Sequence, residues 1–215
     1  MQFSPGVERM LPVPGPEGQK LASPDSGIAA KMAPWSVGPR EYGEFLCAIF
    51  DEWILQDVGE YFVVTFDAVL AKWCGVEPPN CAFADICGNG PAMEACGDIY
   101  MCDHYVYPEY CLGNMKEKSL SSLLLSSRQI EFGQNKLAGL PEVCRKCKHC
   151  EICAGECPKH RIIRAPDGQS GLNYLCPGLK TFFEHVAPYM NYMKRQLDTD
   201  GTPSSVMAWA RNRKN

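Results

Sequence analysis

The chain has 215 residues, enough for one large domain or two small domains with cores of their own. Its 21 lysines and arginines against 25 aspartates and glutamates give a net charge of −4, which argues against a uniformly basic nucleic-acid surface. No stretch approaches the roughly 18 apolar residues of a membrane span, and the start, MQFSPGVERMLPVPGPEG, lacks the basic region and apolar core of a signal peptide. We therefore expect a cytoplasmic protein without a membrane or nucleic-acid partner.

The first part of the chain is predicted to lead from loops into helices. Prolines at positions 12, 14, 16, 24, 34 and 39 exclude long regular elements from residues 8–40. Apolar residues at three-to-four spacing predict a helix over PREYGEFLCAIFDEWILQDVGE. YFVVTF, residues 61–66, predicts a short buried strand, and a helix is expected over 67–74. This alternation is typical of the end of an α/β domain.

After Pro78 and Pro79 the sequence becomes rich in cysteine. A turn at Gly97 between MEAC and IYMC predicts a β-hairpin. Residues 119–139 predict one helix or two short ones, with Ser119 as the cap and Gly139 as the end. LKTFFEHVAPYMNYM predicts a further apolar helix, and residues 194–215 are expected to form a flexible tail.

Thirteen cysteines in such a chain require an explanation. Disulfides are disfavoured because the number is odd, no export signal is recognised and the cytosol keeps thiols reduced. Metal or iron–sulfur ligation is the remaining common cause. The stretch CRKCKHCEICAGECP, residues 144–158, fits a structural zinc site built from C-x2-C pairs. It also fits a bacterial ferredoxin, since Cys147, Cys150, Cys153 and Cys157 before Pro158 match C-x2-C-x2-C-x3-C-P.

A longer pattern supports a third interpretation. Cys87, Gly97 and Cys102 form C-x9-G-x4-C, the later cysteines form C-x2-C-x5-C-x3-C from Cys144 to Cys157, and Cys176 stands alone. These seven cysteines and one glycine resemble the signature of the SPASM domain. That domain is the auxiliary-cluster module of radical S-adenosylmethionine enzymes that modify peptides and proteins.

Neighbouring motifs narrow this resemblance to one family. Cys81 precedes Cys87 by six residues, and the chain carries FDEW (50–53), GDIYMCDHYVYPEYCLGN (97–114), CPKHR (157–161) and GLNYLCPGLKTFF (171–183). Together they resemble the C-terminal half of an anaerobic sulfatase-maturating enzyme, and MQFSPGVER resembles the last strands of its barrel. The family oxidises a cysteine or serine of a sulfatase to Cα-formylglycine.

The resemblance implies an α+β fold with three parts. Residues 1–77 would be the C-terminal remnant of a radical S-adenosylmethionine (β/α) barrel, which is a partial α/β unit. Residues 78–193 would be a small SPASM domain with a β-hairpin, short helices and two auxiliary iron–sulfur clusters. Residues 194–215 would be the flexible tail.

The resemblance also implies two sets of ligands, each for one [4Fe–4S] cluster. The first set is Cys81, Cys87, Cys102 and Cys157, and the second set is Cys144, Cys147, Cys153 and Cys176. Cys150 stands where the family usually has no cysteine, so the ferredoxin pattern stays open. The basic residues around the second set are interpreted as compensation for the negative charge of the clusters; they are Arg145, Lys146, Lys148, Lys159, Arg161 and Arg164.

Asp103 directly follows a ligand, where the family has its candidate general base. If Cys102 lies in a strand and faces its cluster, Asp103 faces the opposite side, toward the opening of a barrel. A turn-associated surface aspartate is the alternative.

The motif that binds S-adenosylmethionine in this superfamily, C-x3-C-x2-C, is not found. Cys153 and Cys157 begin it, but His160 stands where the third cysteine is needed. We therefore expect the chain to be inactive alone. S-adenosylmethionine and a third [4Fe–4S] cluster would belong to the full-length enzyme, whose barrel half could be separately encoded.

The expected partners are a sulfatase polypeptide and a flavodoxin or ferredoxin reductant. Two alternatives remain from the sequence. One is a stand-alone ferredoxin-like electron-transfer module, and the other is a fragment of another peptide-modifying SPASM enzyme.

Overall fold

The computed structural model describes residues 1–13, 18–27 and 30–214 and has an α+β fold. Residues 14–17 and 28–29 of the predicted loop region, and position 215 of the predicted tail, lie outside the described residues. The helices are α1 (Pro39–Gln56), α2 (Val64–Trp73), α3 (Leu120–Leu124), α4 (Ser127–Ala138), α5 (Glu142–Arg145), α6 (Cys150–Cys153), α7 (Cys176–Asp198) and α8 (Val206–Lys214). In the part of the chain thus described, no helix is long and apolar enough to cross a membrane.

The strands are short and pair in three small antiparallel sheets. They are β1 (Arg9–Pro12), β2 (Gln19–Leu21), β3 (Lys31–Met32), β4 (Ala92–Met93), β5 (Asp98–Tyr100), β6 (Cys111–Asn114), β7 (Ile163–Arg164) and β8 (Ser170–Leu172). The sheet orders are β2-β1-β3, β4-β5-β6 and β7-β8. The hairpin predicted at Gly97 is confirmed, because β4 pairs with β5 across that turn and Gly97 adopts φ 96°.

The main hydrophobic core lies between α1 and α7. Leu46 and Phe50 of α1 and Phe182 of α7 are fully buried, and α2 adds Phe66 to the same cluster. The spacing of the apolar residues in α1 follows one helical face, as the sequence predicted. Pro39 occupies the first turn of α1, where its fixed φ favours the start of a helix.

The strand predicted over residues 61–66 is wrong. Helix α2 begins at Val64 within that segment, and Val63, Phe66 and Val69 bury their side chains at helical spacing. Tyr61 is exposed. The β-branched residues favour a strand locally, but the packing of this face against α7 outweighs that preference.

One helix or two short ones were predicted over residues 119–139, and two helices, α3 and α4, form there. Ser119 caps α3 through its side chain, which accepts a hydrogen bond from the Ser122 amide, and Ser126 caps α4 in the same way. Gly139 is the C-cap of α4, as predicted.

The end of the chain differs from the predicted flexible tail. Helix α7 continues to Asp198, and α8 then packs on α1 with Val206 and Ala210 buried. The side chain of Arg211 donates a hydrogen bond to the Leu55 carbonyl at 2.6 Å. Val206 and Ala210, one turn apart, form the buried face of α8. The sequence predicted a tail here because the preceding residues, DTDGTPSS, are polar.

The core also continues across the predicted domain boundary at residue 77. Helix α7, from the cysteine-rich part, packs mainly on α1 from the first part. Residues 1–8, predicted as barrel strands, have no regular strand structure. They are held by backbone hydrogen bonds from Val64 to Met1 and from Val37 to Gly6.

Candidate iron–sulfur site

Five cysteines line one cavity between three helices. Cys144 lies on α5, Cys150 and Cys153 lie on α6, Cys147 is in the turn between them, and Cys176 is the first residue of α7. The structure therefore brings the second predicted ligand set together. Cys150 lines the same cavity.

Tight turns explain why these cysteines share one side. The Cys147 amide donates to the Cys144 carbonyl at 3.0 Å, and the Cys150 amide donates to the Cys147 carbonyl at 2.9 Å. Hydrogen bonds of this i to i+3 type align every third residue along one edge. The spacing of three between the cysteines thus becomes a row of thiols.

Three consecutive left-handed residues then turn the chain away from this cavity. Ala154, Gly155 and Glu156 have φ values of 46°, 72° and 51°. Such a run is uncommon for residues other than glycine. It carries Cys157, only four residues after Cys153, to the other cysteine set.

The first predicted set is also brought together. The neighbouring thiols of Cys87 and Cys102 interact, which lowers the pKa of Cys87 and raises the pKa of Cys102. Cys157 is close enough to Cys87 and Cys81 for both to raise its pKa, although burial is the larger cause. Cys87, Cys102 and Cys157 are buried, whereas Cys81 is exposed.

Burial holds most thiols of the second set in the protonated form. It raises the pKa of Cys153 to about 12, and it is also the largest cause of the raised pKa of Cys144 and Cys176. Burial likewise raises the pKa of Cys150, which lines the same cavity but is not in the set. Because iron binds the thiolate, loading of these sites must release protons. Within the described residues, no three His, Cys, Asp or Glu side chains converge closely enough to hold one metal ion. The ligands of a [4Fe–4S] cluster each bind a different iron atom, so such a cluster does not need the close convergence that a single metal ion needs.

The predicted basic residues do not act alike. Lys146 and Lys148 are exposed and pair with Glu142 and Glu184 on the surface. Arg161, in contrast, is half-buried beside the thiols and donates hydrogen bonds to backbone carbonyls, including that of Gly155 at 3.0 Å. Of these three, only Arg161 combines burial with a position near both ligand sets.

Three residues of α4 were missed by the sequence reasoning. Gln129 donates to the carbonyls of Gly88 and Met101 at 2.8 and 3.0 Å, next to the ligands Cys87 and Cys102. Gly133 accepts a hydrogen bond from the Cys87 amide, and a Cβ at Gly133 would lie 2.7 Å from the Cys87 carbonyl oxygen. The third residue, buried Lys136, donates to the Cys81 carbonyl. Their spacing of four and three residues on a predicted helix was the available signal.

Asp103 lies in a turn after β5, so the predicted strand alternation is wrong at this residue. Its Oδ1 atom is 3.1 Å from the sulfur of Cys102, so it does not face away from that ligand. Asp103 is exposed, and it lines a cavity of about 150 Å³ together with Cys81, Cys157 and His104. Residues 2–5 border the same cavity.

A buried carboxylate lies beside this cavity. Glu156 accepts hydrogen bonds from Asn173 at 2.8 Å and contacts the His160 ring at 2.7 Å. The His160 ring and the Asn173 amide lower the pKa of Glu156 and offset the cost of its burial. His160, which stands at the third position of the incomplete C-x3-C-x2-C pattern, is therefore part of a packed polar network.

The remaining four cysteines lie outside both sets. They are Cys47, Cys74, Cys96 and Cys111. Burial among the residues of α1 raises the pKa of Cys47 to about 11.

Residues 89–151 match the family described as the SPASM iron–sulfur cluster-binding domain. The chain is 46% identical over 207 residues to the serine-type anaerobic sulfatase-maturating enzyme of Bacteroides thetaiotaomicron, covering 96% of this chain and 50% of that protein. It is 30% identical over 166 residues to the cysteine-type anaerobic sulfatase-maturating enzyme of Clostridium novyi, covering 76% of this chain and 44% of that protein.

The fold is similar to that of a solved structure described as native anSMEcpe with bound AdoMet and Cp18Cys peptide. The TM-score is 0.66 at 28% identity, and the match covers 77% of this chain and 46% of that one. The chain thus spans about half the length of the relatives that it matches. The SPASM match, the similarity over nearly the whole length of this chain and the shared fold together show that the chain corresponds to the C-terminal half of a radical S-adenosylmethionine sulfatase maturase.

Proposed function

We propose that this chain binds two [4Fe–4S] clusters and serves as the auxiliary-cluster half of a sulfatase maturase. The observation that carries the proposal is the grouping of cysteines in two places, with Cys157 separated from Cys153 by a left-handed turn. The first cluster would use Cys81, Cys87, Cys102 and Cys157, and the second would use Cys144, Cys147, Cys153 and Cys176. When bound, the clusters would accept the electron that leaves the substrate.

Metal content tests this assignment. Anaerobically reconstituted protein should contain about eight iron and eight sulfide per chain, with the absorption spectrum of [4Fe–4S] clusters. Cys81→Ala and Cys176→Ala should each lose about half of the iron, whereas the matched control Cys96→Ala should lose none. Stoichiometric zinc without iron would refute the proposal.

A ferredoxin-like electron-transfer module is the second candidate, and one observation favours it. Cys150 lines the same cavity as Cys147 and Cys153, as a C-x2-C-x2-C run requires. In two-cluster ferredoxins the fourth cysteine of that run binds the other cluster, so the separate position of Cys157 fits both candidates. Four iron atoms that are lost in Cys150→Ala and retained in Cys81→Ala would favour the ferredoxin pattern. Loss in Cys81→Ala with retention in Cys150→Ala would favour the maturase pattern.

The reaction would be the oxidation of a sulfatase residue to Cα-formylglycine, with the radical chemistry supplied by a barrel half. The relative that is 46% identical is named serine-type, so a serine target is proposed first, and a cysteine peptide is the comparison. A flavodoxin or ferredoxin would supply electrons, and the barrel half could be separately encoded. If an active assembled enzyme oxidises neither sulfatase peptide, the result would favour the alternative that the enzyme matures a different peptide.

The chain alone should not cleave S-adenosylmethionine, because the C-x3-C-x2-C motif is not found in its sequence. Addition of, or fusion to, a radical S-adenosylmethionine barrel from the same family should restore formylglycine formation on a sulfatase peptide. Cleavage of S-adenosylmethionine by the isolated chain would contradict this division of roles.

Asp103 is proposed as the general base of the assembled enzyme. Its support is its exposure in the cavity beside Cys81 and Cys157, where a substrate side chain can reach it. Asp103→Asn preserves the shape and removes the base, so formylglycine formation should fall by roughly 10²–10⁴-fold while both clusters assemble. The matched control is Glu94→Gln, an exposed carboxylate of the same hairpin region. If Asp103→Asn produces formylglycine at the parent rate, Asp103 is only a surface turn residue and not the general base.

A further inference from the structure

The face of α4 that points into the protein is polar. Gln129, Gly133 and Lys136 are buried on this face, at spacings of four and three residues. Each of them contacts the backbone at a residue of the first cysteine set or directly beside one. A buried helix face is normally apolar, so this face has a role other than hydrophobic packing.

Lys136 is the exceptional member of this face. Its side chain is only 1% exposed, and its ammonium group donates hydrogen bonds to the carbonyls of Cys81 and Ala82, the latter at 2.8 Å. Buried lysines are rare unless an opposite charge compensates them. Within the described residues, Lys136 forms no ion pair with a carboxylate.

The groups in contact with the Lys136 ammonium belong to the first set or lie directly beside it. Its hydrogen bonds go to the carbonyls of Cys81 and Ala82, and Gly133, one turn earlier on α4, accepts a hydrogen bond from the Cys87 amide. The nearby carboxylate of Glu156 is engaged by His160 and Asn173. The positive charge of Lys136 therefore lies against the part of the chain that carries the first set.

We infer that Lys136 is a positioning residue whose buried charge raises the reduction potential of the cluster held by Cys81, Cys87, Cys102 and Cys157. This inference rests on the proposed binding of that cluster. A cluster with four thiolates is already negative, and reduction adds a further negative charge. A cation held nearby in a medium of low dielectric constant stabilises the reduced form more than a solvated cation does.

Three of the other cations discussed above differ from Lys136 in position or exposure. Lys146 and Lys148 are exposed, with side-chain exposures of 75% and 71%, so solvent and salt screen them. Arg161 donates instead to the carbonyls of Ala154 and Gly155, in the turn between the two sets, so it does not belong to the first set alone. Removal of Lys136 should therefore act selectively on one cluster.

The test is a redox titration of the reconstituted chain, followed by electron paramagnetic resonance. Lys136→Gln retains a hydrogen-bond donor but removes the charge, and Lys136→Met removes both. In each variant, one of the two midpoint potentials should shift to a more negative value, and the other should move less. Lys136→Arg, which keeps the charge, should stay closer to the parent. Lys146→Met is the matched control for loss of an exposed lysine, and it should shift neither potential.

The outcomes separate this inference from the proposed function. If the parent chain binds no iron–sulfur cluster, the proposed function fails. If both clusters assemble in Lys136→Gln with unchanged potentials, Lys136 acts only as a hydrogen-bond donor and this inference is wrong. If Lys136→Met loses one cluster, the potential of that cluster is not measurable in this variant. The midpoint potentials of Lys136→Gln then test the inference. A loss of that cluster in Lys136→Gln but not in Lys136→Arg would show that the charge is required, whereas a loss in all three variants would overturn the role of charge.

Discussion

The packing of α1 against α7 leads to a sharp prediction at Gly178. A Cβ at Gly178 would lie 1.9 Å from the carbonyl oxygen of Pro39 and 2.9 Å from the amide nitrogen of Gly43. Both neighbours are backbone atoms, so neither can rotate away. Gly178→Ala therefore has to separate the two helices that form the centre of the core.

The cost can be worked from these contacts. Overpacking of a core typically costs about 1–3 kcal/mol, and a clash with backbone belongs at the upper end, about 3 kcal/mol. Alanine recovers at most about 1 kcal/mol through its higher helix propensity. The net loss is therefore about 2 kcal/mol. For a chain of this size, about 2–4 °C per kcal/mol gives a Tm that falls by about 4–8 °C.

Thermal unfolding followed by circular dichroism, at equal iron content, measures this effect. Gly6→Ala is the matched control, since a Cβ at Gly6 meets no atom within 4 Å. That control should leave the Tm unchanged or raise it slightly. Cys176 is two residues before Gly178, so the Gly178→Ala variant should also hold its second cluster less tightly. A Tm equal to that of Gly6→Ala would refute the close approach of α1 and α7.

Three further results are expected. Gly133→Ala should reduce the iron content from about eight toward about four per chain, because its Cβ would lie 2.7 Å from the Cys87 carbonyl oxygen. Cys47 has a pKa of about 11, so only about one Cys47 thiol in 1,000 is ionised at pH 8. Because the thiolate is the reactive form, iodoacetamide should modify Cys47 at least ~10-fold more slowly than exposed Cys96. Mass spectrometry compares the two rates. Val206→Ala should lower the free energy of unfolding by about 2 kcal/mol in a denaturant titration, since Val206 is fully buried against the core.

The fold was predictable where one local pattern agreed with the tertiary packing. The apolar face of α1, the cap Ser119 of α3, the end of α4 at Gly139 and the hairpin at Gly97 all followed from residue types and spacing. The segment around Val64 was mispredicted because its β-branched residues favour a strand, whereas its burial against α7 requires a helix. Helix α8 was missed because its segment is short and mostly polar. Its few apolar residues indicate a buried face only once the partner helix α1 is known.

The grouping of the cysteines was the predictable part of the candidate site, because their spacing can be read without any knowledge of the fold. The surroundings of the ligands were not predictable in the same way. Lys136 lies more than 50 residues from Cys81 in the sequence, and its role depends on how α4 docks. Asp103 was found by its position after Cys102, but its orientation depends on a turn that strand alternation does not describe.

The left-handed turn at residues 154–156 explains why the two cysteine sets depend on one chain path. Arg161 donates hydrogen bonds to the carbonyls of Ala154 and Gly155 and to the carbonyl of Lys136, and it thereby ties this turn to the end of α4. Helix α4 in turn holds the backbone of Cys81 and Cys87. The same few contacts therefore hold Cys153 in one set and Cys157 in the other. Because both sets share this support, we expect that neither proposed cluster assembles fully while the other part of the chain is unfolded, so that cluster assembly is linked to the folding of the domain.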